Sequence, residues 1–198
     1  MISEVTLQRT VTTRAENLKT DRCTSYPRGL IMTRLLEDLL SERVSKDHGY
    51  YLGVTSLQQI CKGEIVEESG DVSFPVVFKC RTFLPCEGEI LQGVVYQVLN
   101  LGVLLRCGPI KYAYLSALKM PGYRYVSSRK KLGPGRNRRF VSEEHGTIEN
   151  GVVVCFTVLA VRWEDEIGPV KNEFQMLVSL EGDFLGPISL PGSDDLDL

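Results

Sequence analysis

Gly88-Glu89-Ile90-Leu91-Gln92-Gly93-Val94-Val95 decides the fold of the larger part of this 198-residue chain. Its β-branched and apolar residues suit a strand, and its two glycines mark the kind of position where a small barrel bends sharply. Strand-like runs follow at Val98 to Arg106, interrupted by Gly102, and at Tyr112 to Ser116 after a turn at Gly108-Pro109. Further on come Val152 to Val161 and then Phe174, Met176, Val178 and Leu180, which alternate with Gln175, Leu177 and Ser179. Five strands with a long insertion after the third predict a Greek-key barrel of the oligonucleotide-binding type. In the fourth strand, Val153, Cys155, Leu159 and Val161 share one face and Val152, Val154, Phe156 and Val158 the other. An outward face as apolar as Val152 to Val158 requires a cover, from the first domain or from a partner chain.

Upstream, the pattern is α+β. Met1 to Val11 reads as a strand, and Ser25 with Pro27 signals a helix start. Met32, Leu35, Leu36, Leu39, Leu40 and Val44 then form a helical stripe over Leu30 to Ser45, which Gly49 stops. Tyr50 to Thr55 and Gly63 to Glu67 read as short strands around a turn at Ser69-Gly70-Asp71. Val72, Phe74, Val76, Phe78 and Cys80 alternate with Ser73, Pro75, Val77, Lys79 and Arg81, a period-2 strand. Pro75 donates no N–H, so this strand is expected at a sheet edge. The expectation is an antiparallel sheet crossed by one helix in 1–85, then a barrel in 86–190 with a basic insertion at 119–147, then an acidic tail at 191–198.

The formal charge of −2 hides a segregation. Lys119, Arg124, Arg129, Lys130, Lys131, Arg136, Arg138 and Arg139 lie in a stretch without an acid, so it carries +8 and the remainder −10 (−2 minus 8). Tyr123 and Tyr125 interleave with Arg124, and Gly122, Gly133, Pro134 and Gly135 read as a loop. Cations on phosphates and tyrosine rings on unpaired bases would suit single-stranded nucleic acid. The competing reading is a solvated insertion that aids solubility.

Other classes find little support. The six cysteines form no C-x-x-C pair, and His48 and His145 stand far apart, so neither a metal nor a cofactor is expected. Glu143-Glu144-His145 reads as a polar turn and Trp163 as a packing residue. No phosphate loop or nucleophile elbow occurs, so no catalytic residue is assigned. The apolar runs fall short of a membrane span, and the mixed polarity of Met1 to Asn17 is not that of a secretory signal.

Gly49-Tyr50-Tyr51-Leu52-Gly53-Val54, Gly63-Glu64-Ile65, Phe74-Pro75-Val76-Val77-Phe78 and the segment 88–95 occur in that order. They precede Arg106-Cys107-Gly108-Pro109, Lys119-Met120-Pro121 and Leu180-Glu181-Gly182-Asp183-Phe184-Leu185-Gly186-Pro187. The ensemble resembles the seventh-subunit family of nuclear RNA polymerases, with wording similar to the versions in plant polymerases IV and V. The resemblance implies a truncated ribonucleoprotein-like tip domain followed by an S1-type oligonucleotide-binding barrel. It further implies a heterodimer with the fourth subunit, a stalk on the polymerase core in the nucleus, and nascent single-stranded RNA as ligand. A glycine in the position of Gly70 lies in that family's core-docking region, and Gly63, which with Gly70 brackets a short strand, is assigned to docking with it. Catalysis would belong to the largest subunits. Where an S1 barrel carries stacking aromatics and a histidine, this chain has Leu101, Leu104 and Tyr114, so RNA contact is expected to be weaker there or shifted to the basic segment. The alternative is a protein-only assembly module with incidental RNA contact; a free-standing RNA-processing enzyme stands third.

Overall fold

The computed structural model describes residues 1–19, 28–129, 136–165 and 173–188. The helix-start signal at Ser25 and Pro27 and the tail 191–198 lie outside them. The chain divides into two compact units, Met1–Leu84 and Pro85–Leu198, both built mostly of β-strands.

In the first unit, β1 (Ile2–Thr13) precedes α1 (Arg28–Glu42), β2 (Val44–Ser45), β3 (Gly49–Ile60), β4 (Glu64–Ile65) and β5 (Val72–Phe83). The sheet order is β1-β5-β3-β2, with β4 pairing β5. Ile31, Leu35 and Leu39 of α1 pack with Val11, Phe74, Val76, Phe78 and Cys80 in one buried cluster. Burial of each large side chain contributes about 1.5–3 kcal/mol.

Three expectations need correction here. The helix ends at Glu42, not near Ser45: Arg43 takes a left-handed φ of 60°, and Val44 is buried in β2 opposite Tyr50. The buried stripe is Ile31-Leu35-Leu39, while Leu36 and Leu40 are exposed; the four-residue repeat selects one row, and the second row lines an open groove with Tyr51, Leu52 and Val54. Finally, β5 is central and not an edge. Pro75 is tolerated because β3 pairs with β5 only as far as Val76, while β4 takes over at Ser73. The Pro75 carbonyl accepts from Cys61 N at 2.8 Å, and Pro75, lacking an N–H, returns no bond on that side, at the point where β3 gives way to β4.

The second unit runs β6 (Ile90–Leu99), β7 (Gly102–Cys107), β8 (Ile110–Ser116), β9 (Arg124–Arg129), β10 (Arg136–Ser142), β11 (Gly146–Ile148), β12 (Val153–Glu164), β13 (Glu173–Ser179) and β14 (Gly186–Pro187). Val98 and Leu99 therefore belong to the end of β6, and Gly102 opens β7 instead of interrupting a strand. β6 pairs with β7, β7 with β8, β8 with β13 in parallel, β13 with β12, and β12 back with β6. Those five ladders close on themselves. Inside the ring lie Val95, Val103, Leu105, Ala113, Leu115, Val154, Phe156, Val158, Met176 and Val178.

The Val154–Val158 face of β12 is thus the inward one, and the cover expected for it is the rest of this core. Val154 sits opposite Gly93, whose missing side chain leaves room: a Cβ there would stand 3.0 Å from the Phe156 ring.

Candidate nucleic-acid interface

Among the described residues, the basic insertion forms a three-stranded antiparallel sheet, β11-β10-β9, where a loop was expected. Its strands hold because one apolar row crosses all three: Tyr125 pairs with Phe140 and Phe140 with Ile148. Phe140 and Ile148 are buried, and the Tyr125 and Phe140 ring centroids are 5.5 Å apart. β-branched and aromatic residues on a half-buried pleat favour a sheet over coil.

Strand alternation divides the cations. Arg124, opposite Val141, and Arg139, opposite Val126, share one face; Arg138, opposite Ser127, lies on the other. All three are exposed. The register also sets Arg129 opposite Arg136. Lys130 and Lys131, with Gly133, Pro134 and Gly135, lie outside the described residues. Two cations have acidic neighbours: Lys119 Nζ is 2.8 Å from Glu181, and Arg124 is 3.9 Å from Glu143. Both pairs are exposed and contribute at most about 1 kcal/mol each, so a phosphate can compete for them.

Tyr123 is a bracket more than a free platform. Its hydroxyl donates to the His145 carbonyl at 3.1 Å, and its ring lies on the His145 ring with centroids 6.3 Å apart. Burial pushes its phenol up to about 12. Tyr114 sits on the outer face of β8 between Leu104 of β7 and Leu177 of β13, and its hydroxyl donates to the Leu101 carbonyl at 2.9 Å.

Sequence reasoning missed the neighbours of Tyr114. Tyr112 shares its outer face, exposed, and the Arg106 guanidinium lies 5.8 Å over the Tyr96 ring. Burial raises the Tyr96 phenol, and the nearby Tyr112 adds to the effect. The signal was present: Tyr112-Ala113-Tyr114 is a period-2 motif with Ala113 facing the core.

The two glycines assigned to docking differ physically. A Cβ at Gly63 would meet the Phe74 ring at 2.5 Å, whereas at Gly70 it would meet nothing within 4 Å. Gly70 is required by its φ of 70° in the turn, closed by a 2.8 Å bond from its N–H to the Val66 carbonyl. Among the described residues no three His, Cys, Asp or Glu side chains gather to hold a metal.

No protein-family model matches the sequence. Three curated proteins of Arabidopsis thaliana are similar to it. "DNA-directed RNA polymerase subunit 7-like protein" is 42% identical, with 98% of each chain covered. "DNA-directed RNA polymerase V subunit 7" is 44% identical over 80% of this chain and 83% of its own. "DNA-directed RNA polymerase IV subunit 7" is 40% identical over 79% and 84%.

Proposed function

Because the chain belongs to the subunit 7 family of DNA-directed RNA polymerases, as an accessory and not a catalytic member, we propose that it is a nuclear stalk subunit that pairs with the fourth subunit and holds emerging single-stranded RNA. The closed ring β6-β7-β8-β13-β12, with its parallel β8–β13 ladder, supports reading the second unit as an S1-type oligonucleotide-binding barrel. The first unit then acts as the tip, and the exposed turn at Gly70 docks on the polymerase core, with Gly63 shaping its base.

The observation that carries the RNA reading is the basic sheet. Arg124, Arg138 and Arg139 stand on strands fixed by the Tyr125–Phe140–Ile148 row, so phosphate contacts need little further ordering. Arg129, Lys130, Lys131 and Arg136 extend the same charge, and Tyr123, Tyr125 and Tyr114 add aromatic surface. Binding without sequence choice and with steep salt dependence follows. The test is a salt titration of single-stranded RNA binding by the full chain and by the triple variant Arg124→Gln, Arg138→Gln, Arg139→Gln. Three lost phosphate contacts lower the slope of log K against log salt by about 2, at roughly 0.7 per contact. An unchanged slope refutes the role of this sheet.

A second reading, a protein-only assembly module, draws on one observation. Around Tyr114, where stacking groups are expected, stand Leu101, 68% exposed, and Leu104 and Leu177 on the flanking strands, and Leu118, 90% exposed, follows β8 in sequence. Exposed leucines suit a protein surface better than unpaired bases. Filter binding with purified heterodimer separates the readings, since a protein-only module retains no RNA at physiological salt.

A further inference from the structure

Phe184 combines two unfavourable features. Its side chain is 100% exposed, and its φ of 61° is left-handed backbone that residues carrying a Cβ avoid. A fully wet aromatic also forgoes the burial that stabilises folding. The sequence thus keeps a large ring where a glycine would fit better, and such local cost points toward function.

Phe184 stands at an open cleft of about 500 Å³, lined also by Pro121, Tyr123, His145, Leu180 and Asp183. That volume lies within the ~300–1,000 Å³ of small-ligand sites. Tyr123 and His145 supply stacked rings, 29° apart, and the Tyr123 hydroxyl is already committed to the His145 carbonyl. Immediately after Tyr123 the chain enters β9 at Arg124, so the cleft opens beside the strand that begins the basic sheet.

We propose that this cleft takes one unpaired nucleobase of a single-stranded RNA, stacked on the Phe184 ring, while the phosphates on either side run along β9 and β10. The inference rests on the RNA-binding reading above and names a second stacking point, apart from the outer face of β8. An aromatic platform accepts any base, because every base has a π-face. Asp183 repels phosphate from the cleft and accepts from the N–H edge of a base, so the ring enters and the backbone stays outside. Polar atoms around an aromatic floor suit a heteroaromatic ring better than an aliphatic side chain of a partner protein.

The experiment compares the full chain with Phe184→Ala, Phe184→Trp and Phe184→Gly, using a labelled oligouridylate and the same oligomer with abasic positions. On the oligouridylate, Phe184→Ala binds roughly 5- to 150-fold more weakly, the equivalent of ~1–3 kcal/mol for one stacked base. Its salt slope does not change, because no phosphate contact is lost. Phe184→Trp binds as the parent does, and none of the variants differs on the abasic oligomer. Phe184→Gly loses affinity as the alanine variant does, yet unfolds at or above the parent's midpoint, a combination that a purely structural role cannot produce. Unaltered oligouridylate affinity for Phe184→Ala, with parental binding intact, overturns this inference and leaves the basic-sheet reading standing. If Phe184→Ala instead loses polymerase subunits on co-purification while its RNA affinity is unchanged, the cleft receives a protein and the inference also falls. Absence of RNA binding by the parent sinks both readings.

Discussion

Gly102→Ala tests the closed ring most directly. Gly102 opens β7 opposite Ser116 of β8, and a Cβ there would lie 2.3 Å from the Leu115 carbonyl oxygen and 3.0 Å from the Tyr114 ring. Backbone carbonyls tolerate carbon no closer than ~3.3 Å, so β7 and β8 must part by about 1 Å at that end. Bonds near the clash are the ladder itself, Ala117 N to the Leu101 carbonyl at 2.8 Å, and the Tyr114 hydroxyl to the same carbonyl. Each is worth about 1 kcal/mol net, and overpacking beside the fully buried Val103 and Leu115 adds about 1–3 kcal/mol. The expected loss is about 3–5 kcal/mol, a large share of the ~5–15 kcal/mol that holds a typical domain. Trp163 is the chain's single tryptophan and packs edge-on against Phe174 at 4.8 Å, so its fluorescence reports the second unit alone. In urea the midpoint falls by roughly 2 M. Gly53→Ala, where a Cβ meets nothing within 4 Å, leaves the fluorescence midpoint in place. A Gly102→Ala midpoint within about 0.5 M of the parent refutes the close β7–β8 approach.

Two further outcomes follow from burial. Leu35→Ala, at a fully buried position of α1, lowers the stability of the first unit by about 2–5 kcal/mol, whereas Leu40→Ala stays within about 0.5 kcal/mol; far-UV circular dichroism in urea distinguishes them. Tyr123 carries a phenol raised from 10.0 to about 12, so the fold favours its neutral form. Its contribution is complete below pH 10 and is lost as pH rises through 12. Tyr123→Phe therefore flattens the alkaline decline of the second unit by about 1 kcal/mol, discounted for partial solvent screening, and an unaltered decline between pH 10 and 12 argues against the buried phenol.

Legibility followed how local each determinant was. The alternation of Phe74, Val76, Phe78 and Cys80 identifies β5 and its buried face without help, because period-2 burial is written in adjacent residues. Its place in the sheet was not legible, since Pro75 excludes a central strand unless the partner strand changes at that residue, and that change depends on β3 and β4 meeting β5 in succession. The faces of β12 were ambiguous for another reason: both are apolar, and the choice is made by Gly93 across the ladder and by a register shift between Val158 and Ala160. In the insertion, glycines, proline and charge outweighed Tyr125, Val126, Phe140, Val141 and Ile148, although their spacing carries the strand signal. Phe184 gives no such local signal, since neither its left-handed φ nor its full exposure is written in adjacent residues.

The sheet form of the insertion changes what its charge means. A basic loop that solubilises a protein has no need of order, and ordering backbone costs about 1–2 kcal/mol per residue. Here an aromatic row holds β9, β10 and β11 together, and the register sets Arg129 directly opposite Arg136. Arg124 and Arg139 stand exposed on one face of that sheet, on diagonal positions of neighbouring strands, an arrangement that adds no pairing energy to the free chain. On the RNA-binding reading proposed above, a negatively charged ligand would gain attraction to these cations and find them already placed. The same logic applies at Phe184, whose exposed ring and left-handed backbone disfavour the empty state. On that reading two unrelated features of one unit, ordered surface cations and a strained exposed ring, call for the same kind of molecule: a charged backbone bearing flat, unpaired rings.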